Sequence, residues 1–378
     1  MIKDLILSII VSIILLLMIY YFGAFHIKQL IKYGKPRIDD YKHLDNDTIK
    51  ADNPIAWTLA KDYNKYKIEN NLRTEIESYE TVAFLVFQNG KIKYEEYWQG
   101  YDKDSIVNSF SMAKSIVSIL VGIAIDERYI KDVNQKVTDF LPEFNNGKPT
   151  ELTIKDLLTM SSGIKWNENF DSPFSDVAKA YYGNNLQKQI DNVKVTEKIG
   201  EKYNYQCINT QLLVRILEKS TKTKISKYLY QNLWYPIGAE NDALWSMDNK
   251  NGQVRGFCCF NATARDFARL GHVILNKGEF NDQFIAPRSY LNDATKPADY
   301  LLNSKNEKVD YYGYHFSILN HNGKQIPYFN GMKGQYIFVL EDRNAVVVRL
   351  GNIRSKEKIN NTPKDVFLYL DVASRILD

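Results

Sequence analysis

Residues Ile116–Ile125 form an almost unbroken apolar run, and Ser111-Met112-Ala113-Lys114 stands at its head. A helix apolar all round has no face to leave in water, so it must be buried. The chain therefore has to fold around this segment, expected as a helix over Ser111–Asp126, and cover it on every side. Residues three apart on a helix share a face, with Cβ atoms about 5–6 Å apart. Lys114 can thus approach the Ser111 hydroxyl. A serine hydroxyl needs a partner to take its proton, and a lysine serves when burial lowers its pKa. The competing reading is an N-cap serine with a lysine in the first turn. A second S-x-x-K, Ser355-Lys356-Glu357-Lys358, lies in a charged stretch with no apolar helix after it. Its lysine should be solvated and its serine unactivated.

The surrounding pattern places this helix between strands. Thr81–Gln88 reads as a strand, Asn89-Gly90 as a type I′ hairpin turn, and Lys91–Trp98 as the return strand. From Ser111 to about Gly271 the patterns are mainly helical, with helices expected over Thr153–Met160, Asn209–Ser220 and Thr263–Leu275. Period-two alternation returns at Tyr314–Leu319, Gln335–Leu340 and Ala345–Leu350, and Pro363–Leu377 closes the chain as an amphipathic helix. This order predicts an α+β fold: one antiparallel sheet from both chain ends, flanked by helices, with a largely helical region inserted.

The N-terminus adds a separate expectation. Leu5–Phe22 is apolar apart from Ser8 and Ser12, and about 18 helical residues span roughly 27 Å, close to hydrocarbon thickness. Phe22 is too large for the position three before a signal-peptidase cut. We expect an uncleaved transmembrane anchor over residues 1–32, a tether with a helical extension over 33–74, and a catalytic domain over 75–378. Lys28, Lys32, Lys35 and Arg37 follow the span and favour a cytoplasmic body by charge alone.

Charge and cysteines narrow the classes. The net charge is only +4, with no long basic block, which argues against a nucleic-acid binder. Cys207, Cys258 and Cys259 form no C-x-x-C and no Cys/His cluster, so no metal site is expected. One bridge from Cys207 to Cys258 or Cys259, or three free thiols, remain open.

Three further segments accompany Ser111. Gly200-Glu201-Lys202-Tyr203-Asn204-Tyr205-Gln206-Cys207 offers a tyrosine as proton relay. Phe329-Asn330-Gly331-Met332-Lys333-Gly334-Gln335 enters a strand whose glycines allow close backbone approach. Leu152–Gly163 reads LTIKDLLTMSSG. With Ala262-Thr263-Ala264-Arg265-Asp266, these segments resemble the S-x-x-K serine hydrolases: class C β-lactamases, DD-peptidases, and the related esterases and 6-aminohexanoate-dimer hydrolases. The resemblance covers roughly residues 75–375.

It implies a β-lactamase/transpeptidase-like fold in which Ser111 is acylated, Lys114 shares its proton and Tyr205 is the motif tyrosine. The amides of Ser111 and Met332 would form the oxyanion hole, and Gly331 and Gly334 match the family's Gly-x-x-Gly. Asn330, Cys207 and Gln335 are the other candidate substrate-binding residues. The reaction implied is hydrolysis of a small ester or amide through an acyl-enzyme, with no cofactor. Family members mostly act outside the cytoplasm, so an extracytoplasmic catalytic domain is expected despite the local charges.

Two departures stand out. Phe329-Asn330-Gly331 replaces Lys-Thr-Gly or His-x-Gly, removing a cation whose charge-assisted contact is worth about 1.5–3 kcal/mol. Gln335 instead fits the 6-aminohexanoate-dimer hydrolase branch. Cys207 stands where Asn or Ser is usual, and a thiol is a weak donor. The alternatives are a weakly active or inactive acyl-accepting protein on the same fold, and a DD-peptidase or β-lactamase proper. The sequence gives no role to any of the five histidines.

Overall fold

The computed structural model describes residues 2–22, 25–145 and 151–378, and in the first stretch the side chains of 2–11 and 13. The strands that shape it are, in chain order, β1 (Asp45–Ile49), β2 (Thr58–Leu59), β3 (Thr81–Gln88), β4 (Lys91–Tyr97), β5 (Val107–Asn108), β6 (Ala243–Met247), β7 (Phe260–Ala262), β8 (Ser317–His321), β9 (Lys324–Gly331), β10 (Gln335–Leu340) and β11 (Ala345–Gly351). The helices used below are α1 (Ile2–Phe22), α2 (Asn70–Ser78), α3 (Met112–Asp126), α4 (Ile154–Leu158), α5 (Cys207–Thr221), α6 (Ala264–Leu275) and α7 (Asp365–Leu377).

Seven strands form the main sheet in the order β8-β9-β10-β11-β3-β4-β2. The pairings are antiparallel except for the short parallel β2–β4 contact. The β3–β11 pairing joins the two ends of the chain, Val86 opposite Val347. The β3–β4 turn has both central residues at positive φ, Asn89 at 51° and Gly90 at 71°, as a type I′ turn requires. Alternation along the central strands splits the apolar side chains between two cores. Leu85, Phe87, Ile337, Val339, Val346 and Val348 face α3 and α6, whereas Phe84, Val86, Phe338 and Val347 face α7.

Helix α3 fills the larger core, with Met112 to Ala124 all buried. Gly122 lets it lie against the Tyr290 ring, which any Cβ at that position would strike. A second sheet, β1-β6-β7-β5, carries the chain into α3. Its strand β1 comes from the stretch expected as a tether; Ile38 and Ile49 are buried in the main core, so this segment packs on the body. The run Lys324–Gly331 was legible only at its glycine end because Pro327 interrupts it; in the sheet Pro327 sits opposite Ile318 of β8.

The expected membrane anchor is corrected. Crossing a bilayer takes about 20 consecutive apolar residues. Among the described residues no helix is long and apolar enough to do so; the side chains of residue 12 and of residues 14–24 in the expected span lie outside the described residues. The expected single-pass N-terminal anchor, and with it the membrane localisation, is not supported.

Candidate active site

Strand β5 delivers the chain to Ser111. The Ser109 amide donates to the Phe260 carbonyl at 2.8 Å, and the Phe110 amide to Asn108 Oδ1 at 2.8 Å. Ser111 then occupies the N-cap of α3, but its side chain makes no capping bond. Its Oγ accepts instead from Lys114 Nζ at 3.0 Å. The two sequence readings of Ser111 thus coincide in position and differ in what the hydroxyl does.

Lys114 is 1% exposed. Its ammonium also donates to the Phe257 carbonyl at 2.8 Å and to Cys207 Sγ at 3.5 Å. Burial works against the charge, but Cys207, Tyr205 and Glu168 outweigh it and hold Lys114 above its ordinary pKa. The expectation that burial lowers this lysine is therefore corrected: a net-negative surround wins. Burial also raises Cys207 and Tyr205, and Lys114 works against that rise in both.

Tyr205 approaches from the far side. Lys114 Nζ lies 4.9 Å from its ring centroid, and Lys114 and Ser111 both favour its phenolate against burial. The Leu152–Gly163 segment holds it there. Thr153 caps α4 in a reciprocal box with Asp156. The chain then turns through Met160, at φ 59°, whose carbonyl accepts the Asn204 amide at 2.7 Å. Met160 Sδ lies 3.3 Å from Asn209 Nδ2 on α5. That segment is a bracket for the tyrosine loop.

The β9–β10 turn forms the opposite wall. At Gly331 an added Cβ would meet the Ser109 carbonyl oxygen, so only glycine lets this strand end lie against the segment leading to Ser111. Lys333 and Gly334 are left-handed, at φ 64° and 86°. The Met332 peptide follows Gly331, and the Ser111 amide donates no hydrogen bond among the described residues.

Ser111, Lys114, Tyr205, Asn330 and Met332 line one cavity of about 520 Å³. Gly331, Cys207 and Gln335 do not line it. Gln335 is fully buried: its Nε2 donates to the carbonyls of Met332 at 3.0 Å and Gly351 at 2.7 Å, and its Oε1 accepts the Gly351 amide. It braces the turn and has no group free for substrate.

The chain matches the Beta-lactamase family over residues 68–366. It belongs to that family. The 6-aminohexanoate-dimer hydrolase of Paenarthrobacter ureafaciens is 29% identical over 224 residues, 55% of each chain. Protein flp of Staphylococcus aureus strain N315 is 23% identical over 248 residues, covering 61% of this chain and 46% of that protein. The chain thus spans about half the length of these curated relatives. Among solved structures, a Bacillus anthracis protein provisionally named a 6-aminohexanoate-dimer hydrolase superposes with a TM-score of 0.76 at 21% identity, covering 89% of this chain and 92% of that one. A family VIII carboxylesterase gives 0.64 at 16% identity, covering 85% and 99%. At those identities the likeness is one of fold.

Within this β-lactamase-family site, Arg354, Lys358 and His315 had no sequence signal. Phe329, at the position of the motif cation, is buried against Phe316 in the core. Tyr328 and Asn330, its neighbours on the other face of β9, reach the cavity. Positive charge enters from elsewhere, since Arg354 and Lys358 line the same cavity and none of the described lining residues is acidic. His315 also lines it; burial and the nearby Lys114 push it down to about 3. The disulfide joins the adjacent Cys258 and Cys259, and Cys207 is a buried free thiol.

Proposed function

We propose that this chain is a serine hydrolase that cleaves an ester or amide bond through an acyl-enzyme on Ser111. The observation that carries the reading is the Ser111 hydroxyl, engaged by Lys114 Nζ at 3.0 Å on a cavity wall instead of capping its helix. In the resting site Lys114 is an ammonium and Tyr205 a phenol. The pair becomes a base on losing one proton to solvent. Ser111 Oγ then bonds to the substrate carbonyl carbon while its proton passes to the pair, and the carbonyl electrons move onto oxygen. In this reading the amides of Ser111 and Met332 stabilise that oxyanion. The pair returns the proton to the leaving oxygen or nitrogen as its bond to carbon breaks. Water repeats the sequence on the acyl-serine and releases the acid.

The cavity supports a substrate with an anionic end, because Arg354 and Lys358 face it without an acidic neighbour in the lining. Asn330 Oδ1, buried and without a donor among the described residues, is placed to accept from a substrate N–H. The names of the relatives, a 6-aminohexanoate-dimer hydrolase and a carboxylesterase, support an amide or ester. A slowly acylating binding protein is the second reading, favoured by the raised pKa of Lys114.

The test is labelling of the wild type and Ser111→Ala with a fluorophosphonate probe and with a labelled penicillin. Fluorophosphonate labelling that needs Ser111 is expected, and its absence overturns the hydrolase reading. Label that persists without turnover of simple esters favours the binding protein. Ser111-dependent penicillin labelling would move the chain toward the DD-peptidase and β-lactamase alternatives, for which Arg354 supplies the cation that Phe329 lacks.

A further inference from the structure

Glu168 lies outside all the motif segments, yet its carboxylate reaches the back of the site. Its Oε2 accepts from Trp166 Nε1 at 2.8 Å and from the Cys207 amide at 2.9 Å. Its Oε1 is buried and accepts no hydrogen bond among the described residues. Lys114 shows the complementary want. It is a buried ammonium whose hydrogen-bond partners are a hydroxyl, a backbone carbonyl and a thiol, with no carboxylate among them. A buried charge is costly unless an opposite charge compensates it. Cys207 stands between the two, its Sγ 3.5 Å from Lys114 Nζ and its amide on Glu168.

We propose that Glu168 is a positioning residue of this site, which acts through Cys207 as the counter-charge of Lys114 and sets how readily the Lys114–Tyr205 pair accepts the Ser111 proton. The inference rests on the hydrolase reading for the role of that pair. The thiol suits the arrangement, since sulfur can accept from Lys114 while its S–H points toward the carboxylate. The groups facing Lys114 are Ser111 on its own helix, Tyr205 and Cys207 at the start of α5, the Phe257 carbonyl, His315 ahead of β8, and Glu168. Burial keeps Tyr205 and Cys207 unionised and His315 neutral near pH 7. Glu168 is the carboxylate of the set, one residue removed from Lys114 through Cys207.

Glu168 also serves the first amide of α5, where a carboxylate is favourable in its own right. The experiment must separate capping from charge balance. In the Ser111→Ala chain, where no acylation can occur, lysine labelled with 13C at Cε is titrated by NMR, with the Lys114 resonance assigned by its loss in Lys114→Met. Glu168→Gln is expected to lower the Lys114 midpoint by about one pH unit or more. Glu168→Asn is the second neutral variant should Glu168→Gln not fold, with folding read by circular dichroism. An unchanged or raised midpoint in a folded neutral variant overturns the proposal and leaves Glu168 a helix cap. With Ser111 intact, the pH midpoint of fluorophosphonate labelling should move in the same acid direction in Glu168→Gln. A wild type that shows no Ser111-dependent labelling would sink the hydrolase reading, while the titration would still decide the charge balance.

Discussion

The ammonium of Lys114 donates to the backbone carbonyl of Phe257 at 2.8 Å, one residue before the Cys258–Cys259 disulfide. The lysine is therefore held by a main-chain group as well as by Ser111, and its reach to the hydroxyl does not depend on substrate. Lys114→Met keeps the length of the side chain and removes its charge and its donors. It should lower the rate of Ser111 labelling by about 10²–10⁴-fold, the usual contribution of a positioned acid–base group. Labelling kinetics with circular dichroism as a folding control measure this, and a loss under tenfold would mean that the lysine is not the proton acceptor.

His315 links the cavity to acid stability. Its Nε2 lies 3.0 Å from Thr210 Oγ1, and its pKa is held at about 3 against an ordinary 6.5. The folded value is the lower one, so the unfolded chain takes up the proton first as pH falls. Stability present above about pH 6.5 is lost progressively toward pH 3. His272, pushed down to about 4 by burial, adds to the same trend. His315→Asn suits the left-handed backbone there, at φ 61°. Its melting temperature should fall less steeply than that of the wild type between about pH 6.5 and 4, and equal slopes would refute the assignment.

Arg354 offers a specificity test. It lines the cavity with Lys358. Arg354→Ala should raise KM for an ester with a carboxylate end by about tenfold or more, the scale of one charge-assisted contact. KM for the matching neutral ester should hardly change. Steady-state kinetics on the pair decide it, and an equal effect on both would make Arg354 structural.

Gly331 should tolerate nothing larger. A methyl group there meets the Ser109 carbonyl, which is backbone and cannot swing aside. Gly331→Ala is expected to cost about 1–3 kcal/mol, as overpacking generally does, and to suppress Ser111 labelling through the displaced Met332 amide. A variant as stable and as reactive as the wild type would show that the strand end is free to shift.

Much of this site could be read from the sequence where chemistry and local spacing coincide. The Ser111–Lys114 contact follows from helical geometry alone, and Tyr205, Asn330 and Met332 from ordered motifs. Strands Gln335–Leu340 and Ala345–Gly351 were visible through alternation. Glu168 and Arg354 were not, because they reach the site from loops where no periodicity constrains a side chain. Phe329 told only that the motif cation was missing, because a motif position gives a residue's place along a strand but not its face, and the pleat turns it into the core. Gln335 carried a family signature, but what it touches depends on Gly351, sixteen residues further on. Strand β1 hid in a polar stretch because its partner, β6, lies about two hundred residues away.

The pairing of β3 with β11 has a consequence for how the protein is made. Thr81 and Gly351 are register partners, so the central sheet cannot close until residues 345–351 have been made and can reach β3. Until then the Ser111 helix has one wall missing, and its apolar length stays open to chaperones and proteases. Contacts this distant along the chain slow folding. A nascent chain halted before β11 should therefore hold Ser111 at the head of an uncovered helix, and the candidate site should form only once β11 has paired with β3.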